Sequence, residues 1–385
     1  CSIAFAGAPM GAAVSKGLCG VDVALHKAVS KAVQPVGWDN PAKKYKRGGK
    51  GCGIILDNFV SLKQVQEALQ SLGLESCNLI VGVDFTKSNE WSGKKTFGGK
   101  SLHDISTAAS ERNPYERAIE IVAKTLAPFD DDQLVPCYGF GDTTTQDRAV
   151  FSFLEEDRPC HGVDELLGAY RALVKPERRT GTTPTKLAGP TSFAPLIRHA
   201  MSVVEASGCG YHILVILADG QVTGSKNGLS AQERGTVEAI VAASQLPLSI
   251  VMVGVGDGPW DVMKEFDDDL PWRQFDNFQF VNFHEVLGSA NRPVTEAMES
   301  RFALSALMEV PEQFAEIRKL GLLGRDRPWS KRVVYQAPLP PPSGMRAKDD
   351  RPPAGLNTRL TAQELEETLG AEKSRRSAHE REREG

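Results

Sequence analysis

The chain has 385 residues, 41% of them apolar, with 45 basic side chains against 49 acidic ones and a formal net charge of −4. That length gives one large domain or two smaller ones with enough apolar material for a core, and the near-neutral balance supplies no basic field for nucleic acid. The longest apolar runs, around residues 79–83 and 213–217, are far too short to span a bilayer. The seven cysteines are odd in number and never stand as C-x-x-C, which argues against a zinc site or a disulfide framework and for a reducing compartment, cytosol or nucleus.

Residues 1–60 mix Gly, Ala and Lys, include a basic stretch at 43–50, and read as a poorly ordered arm. The first residue is Cys1, as expected of a fragment or a processed product, so peripheral membrane attachment through a preceding segment stays open. From Ser61 onward Leu62, Val65, Leu69 and Leu72 recur at helical spacing and Gly73 closes the segment. An apolar run at 79–83 ends in Asp84. Residues 113–126 read as a helix with Pro114 at its first position, and 134–140 and 150–154 as strands. Residues 162–174 are helical, as are 192–205, with Ser192 as a candidate cap. A buried strand at 211–217 leads to Asp219. A helix at 230–244, strands at 248–255 and 278–283, and a helix at 295–307 complete the series, and the domain is expected to end near residue 325.

Beyond it lie a proline run at 338–342, expected to be extended and stiff, and a charged tail poor in aromatics. Within that tail Thr361 and Glu364 have capping-box spacing and Leu360, Leu365 and Leu369 share a possible helix face.

Strands alternating with helices predict an α/β fold, a doubly wound and mostly parallel sheet with helices on both faces. Its central strands are continuous apolar runs, as they must be when both faces are covered. Ligands of such sheets gather outside the carboxyl ends of the strands. There Asp84, Thr86 and Ser88 stand at alternate positions of an extended segment, so their oxygens face the same way. Asp219 follows the strand at 211–217, and Thr191 sits in a Gly-Pro turn before a helix. Two carboxylates and three hydroxyls are hard oxygen donors, which suits Mg²⁺ or Mn²⁺. So few charged ligands leave the ion with surplus positive charge, which a carboxylate on another molecule can offset.

Other motifs point elsewhere less well. GVGDG at 254–258 follows a strand but lacks the third glycine of a dinucleotide fingerprint. The histidines are dispersed, and no general base for a metal-dependent hydrolase is visible. The acidic cluster at 267–269 reads as solvated surface, and Trp260 as a packed anchor.

The segment LIVGVDFTKSNEW at 79–91 resembles the metal-ion-dependent adhesion site (MIDAS) of copine-type von Willebrand A domains. NPYERAI at 113–119, CYGFGD at 137–142, GPTSFAPLI at 189–197 and LADG at 217–220 carry the same resemblance. VGVGDGPWDVMKEFDDD at 253–269 and FALSALMEVP at 302–311 are similar to the plant-type E3 ubiquitin ligases that place a copine domain ahead of a RING finger. The resemblance runs from about residue 62 to residue 342. It implies metal contacts from Asp84, Thr86, Ser88, Thr191 and Asp219, a partner presenting an acidic residue, and a link to ubiquitin-system proteins. No cysteine follows Cys209, so the RING zinc ligands are not in this chain. A polar insert at 175–186, with Lys175, Arg178, Arg179 and Lys186 against Glu177, precedes Thr191 and is expected as a basic loop at the rim of the site.

Overall fold

The computed structural model describes residues 61–342, apart from 75–76, 106–111, 131, 177–182, 226–227, 269, 271, 288–294 and 326–334. The expected N-terminal arm, Arg178 and Arg179 of the insert, and the expected helix near 361–369 lie outside the described residues.

The chain begins with α1 (Leu62–Ser71) and β1 (Asn78–Asp84), then α2 (Pro114–Leu126). Next come β2 (Leu134–Val135), β3 (Cys137–Phe140), β4 (Phe151–Ser152), β5 (Cys160–His161) and α3 (Gly162–Val174). The second half runs α4 (Ala194–Ala206), β6 (His212–Ala218), α5 (Ala231–Ala243), β7 (Leu248–Gly254), α6 (Asp261–Asp268) and β8 (Phe278–Asn282). Helices α7 (Phe283–Leu287), α8 (Glu296–Leu307) and α9 (Val310–Lys319) follow. The six-stranded sheet has the order β4-β3-β1-β6-β7-β8, and only β4 is antiparallel to its neighbour. Among the described residues, no helix is long and apolar enough to cross a membrane.

The alternation of side chains along the strands separates two cores. Leu79, Val81 and Val83 of β1 and Ile213, Val215 and Leu217 of β6 join the core under α1, α2, α3, α8 and α9. Ile80, Leu214 and Ile216 point to the other side, under α4, α5 and α6. Each fully buried aliphatic side chain contributes on the order of 1.5–3 kcal/mol, so both layers favour this register. Gly82 lets α4 approach the sheet: a Cβ there would lie 2.1 Å from Leu196 Cδ2. Helix α2 starts with a reciprocal capping box between Asn113 and Glu116, and α5 with one between Ser230 and Glu233.

Four local features differ from the sequence reading or add to it. The strand expected over 134–140 is interrupted at Pro136, which has no N–H for a ladder. Leu134–Val135 instead pairs antiparallel with β5, and only Cys137–Phe140 enters the main sheet. Ser192 is not the cap of α4, because the helix starts two residues later. Phe193 holds the cap position without a side-chain bond, and Ser192 is buried. Part of the acidic cluster at 267–269 closes the helix α6, which was not read from the sequence; neither were α7 and α9. Finally, the proline run does not simply trail away. Leu339 N donates to Val150 O at 2.8 Å and Ser152 N to Leu339 O at 2.9 Å, so this segment pairs in parallel with Phe151 on the edge strand β4. A proline-rich strand suits an edge, where few N–H donors are needed.

Candidate metal centre

The connection after β1 leads to helices on one face of the sheet, and that after β6 to helices on the other. The two strands are neighbours, so their carboxyl ends flank the crevice where the winding reverses. Asp84 closes β1 and Asp219 follows β6 by one residue; both are buried.

The predicted oxygens meet there. Thr191 Oγ1 lies 3.3 Å from Thr86 Oγ1, Thr86 Oγ1 lies 2.9 Å from Ser88 Oγ, and Ser88 Oγ donates to Asp219 Oδ1 at 3.0 Å. The donors can run in one direction, from Thr191 through Thr86 and Ser88 to Asp219. Asp84 Oδ1 accepts from Thr86 N at 2.7 Å. All five residues singled out in the sequence therefore converge.

Neighbouring loops hold this geometry. Lys87 N donates to Ala188 O, and Ala188 N to Phe85 O, which fastens the Thr191 loop beside the Asp84 loop. Thr191 and Thr223 exchange two bonds, Thr191 N to Thr223 Oγ1 at 2.9 Å and Thr223 N to Thr191 O at 3.0 Å. Two glycines make room. Gly141, at φ +84°, would place a Cβ 2.3 Å from Thr86 Cγ2, and one on Gly256 would meet Asp219 O at 2.2 Å.

Beneath the loop lies a buried polar layer. His103 Nε2 is 2.9 Å from Asp84 O and His103 Nδ1 2.8 Å from the Tyr170 hydroxyl. The consistent assignment has Nε2–H donating to the carbonyl and Nδ1 accepting from Tyr170. The ring is stacked between Phe85 and Tyr115, and burial pushes its pKa down to about 3, so it is neutral. Tyr115 donates to Asn89 Oδ1, and Asn89 Nδ2 to Thr86 O. Glu116 of the capping box also pairs with Arg171 on α3.

The electrostatics of the crevice differ from those of a satisfied network. Burial, and then the charge of Asp219, raise the pKa of Asp84 well above the usual carboxylate range; burial also raises that of Asp219. Asp84 Oδ2 and Asp219 Oδ2 are buried with no protein hydrogen-bond partner. An unsatisfied buried acceptor costs about 1–3 kcal/mol, and more when charged. Two such oxygens beside three hydroxyls fit a hard divalent cation. Among the described residues no three His, Cys, Asp or Glu side chains converge on a metal position, which leaves this mixed set as the candidate.

Several contributors were not read from the sequence. Ser92 reaches the Asp219 carboxylate with its side chain; it lies four residues past Ser88, beyond the helical turn Lys87–Glu90, which cuts short the extended segment expected over Asp84, Thr86 and Ser88. His103, Tyr115 and Tyr170 come together only through packing, and no spacing announces them.

The sequence matches the family profile described as Copine over residues 101–326. It is 55% identical over 313 residues to the E3 ubiquitin-protein ligase RGLG2 of Arabidopsis thaliana, covering 80% of this chain and 63% of that one. To the E3 ubiquitin-protein ligase RGLG1 of the same plant it is 57% identical over 292 residues, 75% of this chain and 56% of that one. Copine family protein 2 of Caenorhabditis elegans is 45% identical over 276 residues, which are 71% of this chain and 3% of that protein. The chain thus spans less than two thirds of the length of either ligase.

Proposed function

Because this chain belongs to the copine family, we propose that its sheet-end crevice binds one divalent cation, Mg²⁺ or Mn²⁺, and through it a protein partner that presents an acidic residue. The observation that carries this reading is the pair of buried, unpartnered oxygens, Asp84 Oδ2 and Asp219 Oδ2, on carboxylates that share the crevice with the Thr86, Ser88 and Thr191 hydroxyls. A cation bound there would offset both carboxylates and offer its remaining positive charge to a carboxylate from outside. Asp84 and Asp219 would be the charged ligands, and Thr86, Ser88 and Thr191 the neutral ones. His103 and Asn89 would act one layer back, fixing the carbonyls of Asp84 and Thr86 and thus the angle at which the loop presents its oxygens.

Isothermal titration calorimetry with Mg²⁺ tests the proposal. Wild type should bind one ion, and Asp219→Ala should bind far more weakly; equal affinities would remove Asp219 from the site. The domain should fold without the ion, since its core is large and the ligands lie at the rim of the sheet.

A second reading rests on the names of the relatives. Within a ubiquitin ligase, this module would select the protein to be modified and leave the transfer to another part. The chain itself carries no cysteine beyond Cys209, so the purified 385-residue protein should not build ubiquitin chains with E1, E2 and ubiquitin. Metal-dependent autoubiquitination by that protein would defeat this expectation. A cytosolic or nuclear location fits the scattered cysteines, of which Cys77, Cys137, Cys160 and Cys209 are buried.

A further inference from the structure

Immediately beside the crevice the chain forms a compact loop over residues 91–102. Its two ends are drawn together: Ser92 N donates to Ser88 O, and Leu102 N to Asn89 O at 2.9 Å. Phe97 N and Gly99 N both donate to Gly93 O, so the loop folds on itself. Asp257 pins it to the β7 side of the crevice. Its carboxylate accepts from Lys95 N at 2.9 Å, Thr96 N at 3.0 Å and Thr96 Oγ1 at 2.7 Å, while its own N–H donates to Ser92 O at 2.8 Å. The neighbour of Asp257 is Gly256, which touches Asp219, and Ser92 reaches Asp219 directly. The loop is therefore anchored to a proposed cation ligand from both sides.

What this anchored loop shows to solvent is unusual for a turn. Trp91 is 49% exposed although it adjoins buried Ser92. Lys87, Lys94, Lys95 and Lys100 are exposed, and residues 87–100 hold a single acid, Glu90. None of these lysines forms an ion pair among the described residues; Lys100 lies over the Phe97 ring at 5.8 Å. The carboxylate of Asp257 is already taken by the loop's own N–H and O–H groups. Structural needs thus explain the loop's buried side, Ser92, Gly93 and Leu102, but not its outer side.

We infer that the loop at residues 87–100 is the selectivity rim of the crevice. It favours a peptide whose metal-bound acid is flanked by further acidic residues and by one apolar side chain. The lysines supply the charge complement to the flanking acids, and Trp91 a flat apolar platform beside the metal-facing edge. Because the loop is held by backbone and side-chain bonds within itself, to its own base and to Asp257, little ordering entropy is lost on binding. The inference rests on the cation reading above, since the loop surrounds a crevice that would hold the first acid.

The test uses the full chain and an array of dodecapeptides, each with one central Glu and varied flanks, probed in Mg²⁺ and in EDTA. Peptides bound only in Mg²⁺ should be enriched in Asp or Glu near the central acid and in an aromatic or aliphatic residue at one neighbouring position. For the best of them, the K94E/K95E/K100E variant should bind about tenfold more weakly at low salt, with a flattened salt dependence. W91A should lose the apolar preference while keeping the acidic one. Calorimetry with Mg²⁺ should give the same ion affinity in both variants, which shows that they fold and keep the crevice. Metal-dependent peptides without flank preference, or undiminished in the variants, would overturn the rim and leave the cation reading standing. If Mg²⁺ binds but no peptide does so in its presence, the partner reading falls and the rim with it. Peptide binding that persists in EDTA and in Asp219→Ala but vanishes in the lysine variant would make the loop a metal-independent site and also overturn the inference. So would binding to phosphatidylserine vesicles that the lysine variant abolishes, with no selected peptide.

Discussion

Strands β1 and β6 carry polar residues at both of their ends, and the two ends treat them differently. At the amino end Asn78 and His212 are direct partners across the ladder. His212 Nδ1 lies 2.8 Å from Gly210 O, and Asn78 Nδ2 3.3 Å from His212 Nε2, so each ring nitrogen has a partner. At the carboxyl end Asp84 and Asp219 stand beside each other with like charge, and one oxygen of each is buried without a protein partner. The same pair of strands thus carries a closed polar contact at one end and an open one at the other. A closed contact is explained by the fold. An open one costs about 1–3 kcal/mol per oxygen, which the cation proposed above would offset.

The largest effect expected from breaking this asymmetry is at the open end. Asp84→Ala or Asp219→Ala should weaken Mg²⁺ binding by about a hundredfold or more in calorimetry, since loss of a mere supporting residue around a metal already costs 10- to 100-fold. Without the ion, Asp219→Asn should raise the melting temperature, because it removes one of two like charges held in a buried site. A variant that bound the ion normally would close the comparison by making both ends structural.

Next in size is the response of wild type to the ion itself. Mg²⁺ at about 100 times its dissociation constant should stabilise the folded state by about 2.7 kcal/mol, and Asp219→Ala should lose that gain. Thermal unfolding in Mg²⁺ and in EDTA would measure it.

A smaller and opposite effect is expected at the closed end. Asn78→Leu leaves His212 Nε2 without its amide partner and should cost about 1–3 kcal/mol by denaturant unfolding. The Mg²⁺ titration should be unchanged, because the substitution lies at the far end of β1. A change in ion affinity would show that the two ends communicate along the strand.

This asymmetry also bears on what could be read from the sequence. The strands were legible because both of their faces are covered, so β1, β6 and β7 appear as unbroken apolar runs. The site was legible for the same reason: a charged residue closing an apolar run is conspicuous, and Asp84 and Asp219 both do so. Thr86 followed from alternation in an extended segment, and Thr191 from its turn before a helix; Ser88 was reached by the same alternation but stands inside the helical turn Lys87–Glu90, which still brings its hydroxyl to Thr86 and Asp219. Ser92 escaped because the chain leaves the extended form at residues 87–90. His103 escaped because its partners, Asp84 O and Tyr170, lie 19 and 67 residues away. The strand at 134–140 was misread because its apolar residues continue through Pro136, which cannot join a ladder on both sides. The edge pairing of Leu339 escaped because a proline run announces stiffness and not a docking place.

The smallest expected effect is a dependence on pH that belongs to the closed end. Burial lowers the pKa of His212 below its ordinary value near 6.5, while the Gly210 carbonyl and then the charge of Asp132 oppose that shift. In the unfolded chain the ring therefore takes up a proton at a higher pH than in the folded one. Its contribution to stability is fully present above the unfolded pKa of about 6.5 and is lost as pH falls below it. The buried rings of His103 and His199 act with the same sign. Asp84 and Asp219 act with the opposite sign when no cation is bound, since raised carboxylates gain stability as they protonate. The total slope mixes both ends, but a difference between two proteins does not. His212→Gln can keep contacts to Asn78 and Gly210 and cannot titrate. Wild-type stability minus that of His212→Gln, followed by urea unfolding from pH 7.5 downward in EDTA, should decrease once the pH passes below about 6.5. A difference that stayed flat would mean that His212 titrates alike in the folded and unfolded chain, and that the amino end is less closed than its hydrogen bonds indicate.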